Sequence, residues 1–135
     1  MPYAGSTEEN KINNRRTGSV KEQLAADYLT QQGMQIVERN FRGRQGEIDI
    51  IGYHKGYLVF VEVKYRSSTV KGTALEAVNA GKQKQICKVA DYYRYLHKVS
   101  DNSPIRYDVV AIQGESITWI PNAFPHVYNK RGWGR

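Results

Sequence analysis

The chain predicts an α/β fold in which a mixed β-sheet is flanked by helices, and two patterns carry that prediction. One amphipathic helical segment is followed by three strand-like segments separated by glycine-bearing turns, and a second helical segment then precedes one or two further strands. Hairpin-connected strands followed by a helix and another strand give a mixed sheet with helices laid on it, in the order helix-strand-strand-strand-helix-strand-(strand). The length of 135 residues suits one such domain, and 40% hydrophobic residues supply one core.

Residues 1–16 are polar and lack apolar periodicity, so they are expected to form a flexible arm. The folded domain is expected over 17–125, followed by a basic tail over 126–135. Ser19-Val20-Lys21-Glu22 has the form of a capping box, and Val20, Leu24, Ala25, Tyr28 and Leu29 recur at helical spacing until Gly33 supplies a stop. Met34 to Phe41 reads as the first strand, Arg42 to Gly46 as a tight basic turn, and Glu47 to Ile51 as the second strand. After a turn over Gly52 to Gly56, Tyr57 to Tyr65 forms the third strand. Its Leu58-Val59-Phe60-Val61 run is apolar on both faces and so belongs at the centre of the sheet. Arg66 to Gly72 is a loop, and Thr73-Ala74-Leu75-Glu76 opens a helical region that continues past Gly81, with Ile86, Val89, Ala90, Tyr93 and Leu96 as its buried stripe. Pro104 starts a strand through Ile112, and Ser116 to Ile120 adds a short edge strand.

Composition narrows the function. Lys and Arg number 20 against 13 Asp and Glu, a net charge of +7 that favours polyanionic partners. Cys87 is the only cysteine, which excludes an intramolecular disulfide framework or a Cys-rich zinc site and points to a reducing, cytoplasmic setting. The N-terminal residues lack the apolar stretch of an export signal, and no apolar run approaches the roughly 18 residues of a membrane helix. His54, His97 and His126 lack ligand-type spacing, and Gly81-Lys82 is followed by Gln83, so neither zinc nor a P-loop is indicated.

The most informative residues lie on the second and third strands. Side chains alternate along a strand, so Leu58, Phe60, Glu62 and Lys64 share one face of the third, while Glu47, Asp49 and Ile51 share a face of the second. A hairpin in ordinary register brings Asp49 beside Glu62. At about 5 Å and an effective dielectric near 20, two carboxylates repel by about 3 kcal/mol, more than Lys64 alone offsets once both leave water. Should Glu22 approach as well, two negative charges remain, which one divalent cation neutralises. Mg²⁺ suits such an oxygen-only set, because it keeps water positions open for chemistry.

Gly46-Glu47-Ile48-Asp49-Ile50-Ile51 followed by Phe60-Val61-Glu62-Val63-Lys64-Tyr65-Arg66 resembles the PD-(D/E)XK nuclease signature, and specifically looks like the bacterial YraN family. The likeness extends to the helix Gly18 to Leu29 with Glu22, to Arg39-Asn40-Phe41-Arg42 and to Arg106-Tyr107-Asp108-Val109-Val110, covering most of residues 17 to 113. Ile48 stands where the signature has proline. The resemblance implies a restriction-endonuclease-like fold similar to archaeal Holliday junction resolvases, and a homodimer as in those resolvases. It also implies Mg²⁺ (or Mn²⁺) held by Asp49, Glu62 and the main-chain carbonyl of Val63, with Lys64 orienting the attacking water. Glu22 would match the acidic residue on the resolvases' first helix, although the same residue also reads as the N3 glutamate of the Ser19 capping box.

The expected activity is Mg²⁺-dependent endonucleolytic hydrolysis of DNA, with branched or recombination intermediates as the substrate class implied by the resolvase likeness. The alternative is a non-catalytic nucleic-acid-binding protein with a nuclease fold, acting in DNA repair or uptake. Arg42, Arg44, Arg66, Lys71, Lys82, Lys84 and Lys88 are candidate contacts to backbone phosphates, and each also reads as an ordinary solvated charge. Asp108 reads as structural.

Overall fold

The computed structural model describes residues 20–66 and 78–127, with Arg66 described only as the last residue of its strand. The expected N-terminal arm, Ser19 of the first capping box, Lys71, the Thr73 box and the tail from 128 onward lie outside these residues.

Helix α1 covers 20–31 among the described residues. It ends in a Schellman turn: Gly33 takes φ +102°, its N–H donates to the Thr30 carbonyl, and the Met34 N–H donates to the Leu29 carbonyl. Among the described residues, five strands follow the pattern expected for a mixed sheet. They are β1 (Gln35–Gly43), β2 (Gly46–His54), β3 (Tyr57–Arg66), β4 (Ile105–Gln113) and β5 (Ser116–Phe124), with α2 (Ala80–Leu96) inserted between β3 and β4. Their order across the sheet is β1-β2-β3-β4-β5; β3 and β4 run parallel and every other neighbouring pair is antiparallel. A parallel pair needs a crossover, and α2 lies within it. The β2–β3 connection is a two-residue turn, Lys55-Gly56, with positive φ at both positions, the type I′ geometry that matches strand twist.

The two helices cover opposite faces of the sheet. Ala25, Ala26 and Leu29 of α1 pack with Ile50, Val59, Val61, Val110 and Ile112. Ile86, Cys87, Val89, Ala90 and Tyr93 of α2 pack with Phe41, Ile48, Ile51, Leu58, Phe60, Tyr107 and Val109. β3 lies at the centre, as its doubly apolar sequence predicts, because it must fill both layers. No helix among the described residues is long and apolar enough to cross a membrane.

Several boundaries differ from the sequence expectation. Arg42 and Gly43 extend β1, leaving Arg44-Gln45 as the hairpin loop. β5 runs on to Phe124 through Pro121, which an edge strand tolerates because it has one unpaired side. Helix α2 begins at Ala80 because Asn79 caps it, its side chain accepting from the Lys82 N–H at 2.9 Å. Leu96, expected in the buried stripe of α2, is exposed at its last turn, and Val20 and Leu24 are exposed on α1, whose buried face is carried by Ala25, Ala26 and Leu29.

Candidate active site

β2 and β3 pair regularly from His54↔Tyr57 to Ile50↔Val61, and the ladder stops there. The next position in that register sets Asp49 opposite Glu62. Asp49 does not continue the ladder through its main chain; its carboxylate Oδ2 accepts the Val63 N–H at 2.8 Å. The alternation of β2 breaks at the same place, since Ile48 and Ile51 both enter the α2-side core while Ile50 enters the other. β3 cannot follow this shift, because it stays paired with β4 as far as Arg66↔Gln113. The two strands therefore splay, and the acids stand at the opening. The N–H and C=O of one strand residue face the same neighbour, so the Val63 carbonyl is also directed toward the β2 side.

Glu62 belongs to the same face of β3 as Phe60 and is buried at 5% exposure. Two ammonium groups reach its Oε2: Lys64 Nζ at 3.4 Å and Lys82 Nζ at 3.7 Å. The Lys64 contact follows from strand alternation. Lys82, expected among the phosphate contacts, is brought to Glu62 by the first turn of α2, and no local pattern in the sequence encodes that contact.

Asp49 is half-buried and has less positive charge near it. Desolvation by burial and the charge of Glu62 push its pKa up to about 7, against the opposing hydrogen bond from Val63. Glu22 and Glu47 add smaller repulsions. Glu22 is itself raised, by burial and then by Glu47, with Arg39 and Asn40 acting the other way. Asn40 takes a left-handed φ of +55°, a conformation asparagine tolerates. With its amide nitrogen turned to the acids, it donates to Glu22 Oε1 at 3.0 Å and to Glu47 Oε2 at 3.3 Å. Asn40 is thus a site residue that sequence reasoning did not single out, beyond its place in the family-like segment Arg39-Asn40-Phe41-Arg42.

Four carboxylates therefore surround the splay, but they do not form one cage. Glu22 comes from the helix on one face of the sheet and Glu62 lies on the other face. Among the described residues, no group of three or more His, Cys, Asp and Glu side chains is placed to hold a metal ion. What the splay offers a hard divalent cation is a pair of carboxylates, Asp49 and Glu62, with the Val63 carbonyl beside them. These donors suit Mg²⁺ or Mn²⁺ in type, since all are oxygens and the elevated Asp49 is short of compensating positive charge.

The other candidate contacts are dispersed. Arg42 lies 3.8 Å from Glu47 across the first hairpin and is largely exposed, Arg44 is exposed at the hairpin loop, and Lys84 and Lys88 are exposed along α2 with Tyr92 and Tyr95. His54 and His126 are not brought together. His54 Nδ1 lies 3.0 Å from Arg106 Nη2, and His126 Nδ1 lies 2.7 Å from the Tyr107 hydroxyl.

Comparison with known proteins gives a consistent result. The profile of the "Uncharacterised protein family UPF0102" matches residues 21–112, which include every residue of the splay. A UPF0102 protein of Lachnoclostridium phytofermentans is 47% identical over 113 residues, covering 84% of this chain and 96% of the relative. Another, of Colwellia psychrerythraea, is 39% identical over 129 residues, covering 92% of this chain and the whole of the relative. A third, of Legionella pneumophila, is 42% identical over 109 residues, covering 79% and 92%.

Proposed function

The chain belongs to the uncharacterised protein family UPF0102, and from that premise we propose that it is a Mg²⁺- or Mn²⁺-dependent endonuclease that hydrolyses phosphodiester bonds in DNA, with the fold and site of the PD-(D/E)XK nucleases. One observation carries the reading: the β2–β3 ladder ends where Asp49 and Glu62 face each other, and Asp49 is left with its pKa pushed up to about 7. A carboxylate pair at that cost is a candidate for a bound cation rather than for fold stability.

Asp49, Glu62 and the Val63 carbonyl would hold the metal. When bound, that metal supplies charge stabilisation for the phosphoryl group and its leaving oxygen. Lys64 orients the attacking water: its ammonium has three donors and stands beside Glu62 on a side chain about one-third exposed. Asn40 ties Glu22 to Glu47 and so keeps a second acidic layer behind the ligands. The net charge of +7 draws a polyanion to an acidic pocket in a basic surface. Branched or recombination intermediates and a homodimer complete the proposal by analogy with the resolvases, and the single cysteine, Cys87, supports a cytoplasmic setting.

A second reading has one observation in its favour. Glu62 already has two ammonium partners, which compensate its charge without a metal, as a nucleic-acid-binding protein that does not cleave would need. One assay separates the two readings. Purified protein is incubated with single-stranded, duplex, flap and four-way-junction DNA, with and without Mg²⁺ or Mn²⁺. Metal-dependent cleavage that Lys64→Ala abolishes, with DNA affinity retained, supports the nuclease. Binding without cleavage under every condition supports the alternative.

A further inference from the structure

Glu62 is matched by two lysines that differ in how they are held. Lys64 lies two residues along β3 from Glu62, on the same face of a strand fixed by β4, so its approach is set by the sheet. Lys82 reaches across from α2, where the helix cap fixes its main chain and leaves a four-carbon stem to carry the ammonium. Both meet one oxygen, Oε2, at 3.4 and 3.7 Å, and both side chains are about one-third exposed while the glutamate is buried. A lysine ammonium donates only, so Lys82 released from Glu62 is left with its donors open to water or to another anion. With a dication on the carboxylates, two ammonium groups would be more positive charge than Glu62 can use, and the excess is available to a phosphodiester.

We infer that Lys82 is a built-in counter-ion of Glu62: it holds the carboxylate in the metal-free protein, yields it to the divalent cation, and then contacts a phosphate oxygen of the nucleic acid. This inference rests on the metal-dependent reading above. Lys82 is on this account a positioning residue in the metal-free state and a phosphate contact in the loaded one, whereas Lys64 stays beside Glu62 in both.

Calorimetric titration with Mn²⁺ tests it on the full chain and on Lys82→Gln and Lys82→Arg. Removing the competing charge should tighten Mn²⁺ binding about tenfold in Lys82→Gln, while Lys82→Arg should keep the wild-type affinity. Duplex DNA binding supplies the second readout, in a Lys64→Ala background that does not cleave. There Lys82→Gln should weaken binding and lower the salt slope by about 1 when Mn²⁺ is present, and change little when it is absent. Mn²⁺ binding to the wild type with no gain in Lys82→Gln overturns the role of Lys82 alone. So does a loss of DNA affinity that is the same with and without metal. Failure of every chain to bind Mn²⁺ overturns the metal site itself and this inference with it. Thermal melting identifies any variant that has lost its fold, and Lys82→Met, with the same expected gain in Mn²⁺ affinity, then carries the test in place of Lys82→Gln.

Discussion

Two acidic centres lie on strands that flank β3 in one sheet and are treated in opposite ways. Asp108 on β4 is fully buried and is provided for completely. Its two oxygens accept Arg106 Nε and Nη2, Trp119 Nε1 and the Asn122 N–H, all at 2.9 Å. Asn122 adopts a left-handed φ of +53°, a conformation asparagine tolerates, where it makes that bond. Asp49 on β2 receives one main-chain hydrogen bond and otherwise faces other acids. Saturation is what a carboxylate needs when its task is to join β4, β5 and the far end of β2. Unused lone pairs are what it needs when its task is to bind something else.

That contrast is tested most severely by removing each acid in turn. Asp108→Ala leaves the Arg106 guanidinium buried without its partner, and should cost about 3 to 5 kcal/mol in urea unfolding. A cost below about 1 kcal/mol would mean that the network is ornamental. Asp49→Asn should instead stabilise the metal-free protein at neutral pH. Its folded-state pKa lies above the unfolded value, so the native state holds the proton more tightly. Stability attributable to Asp49 is therefore greatest below about pH 4 and falls as pH rises to about 7, by on the order of 2 to 4 kcal/mol. Asp49→Asn should lack that slope, as melting from pH 4 to 8 would reveal; a slope of the same size in both chains would place the titration elsewhere. The smallest effect belongs to Glu22→Gln, which changes a residue behind the ligands and should lower kcat/KM by about tenfold or less in the cleavage assay. A loss as large as that of Asp49→Ala would make Glu22 a ligand.

The central hairpin was legible because local rules determine it. Period-two alternation places Glu62 with Lys64 on β3, whereas the turn expected over Gly52 to Gly56 is only Lys55-Gly56, and it is this tighter turn that sets the register facing Asp49 with Glu62. The first helix and its stop were legible from Gly33 in the same way. Other parts depend on packing that no window of sequence contains. Lys82 meets Glu62 because of where α2 starts and how it crosses the sheet, and Asn40 joins Glu22 to Glu47 through a left-handed main-chain turn inside β1. The partners of Asp108 divide similarly. Arg106 is two residues away on the same strand face, whereas Trp119 and Asn122 come from an edge strand that continues past the expected Ile120 to Phe124.

The most direct test of the account is thermal melting of the wild type and of Asp49→Ala with and without Mg²⁺ or Mn²⁺. At about one hundred times Kd, bound metal should raise the wild-type Tm by about 10 °C and leave Asp49→Ala unmoved. An equal rise in both, or none in the wild type, would contradict a cation site at the β2–β3 splay.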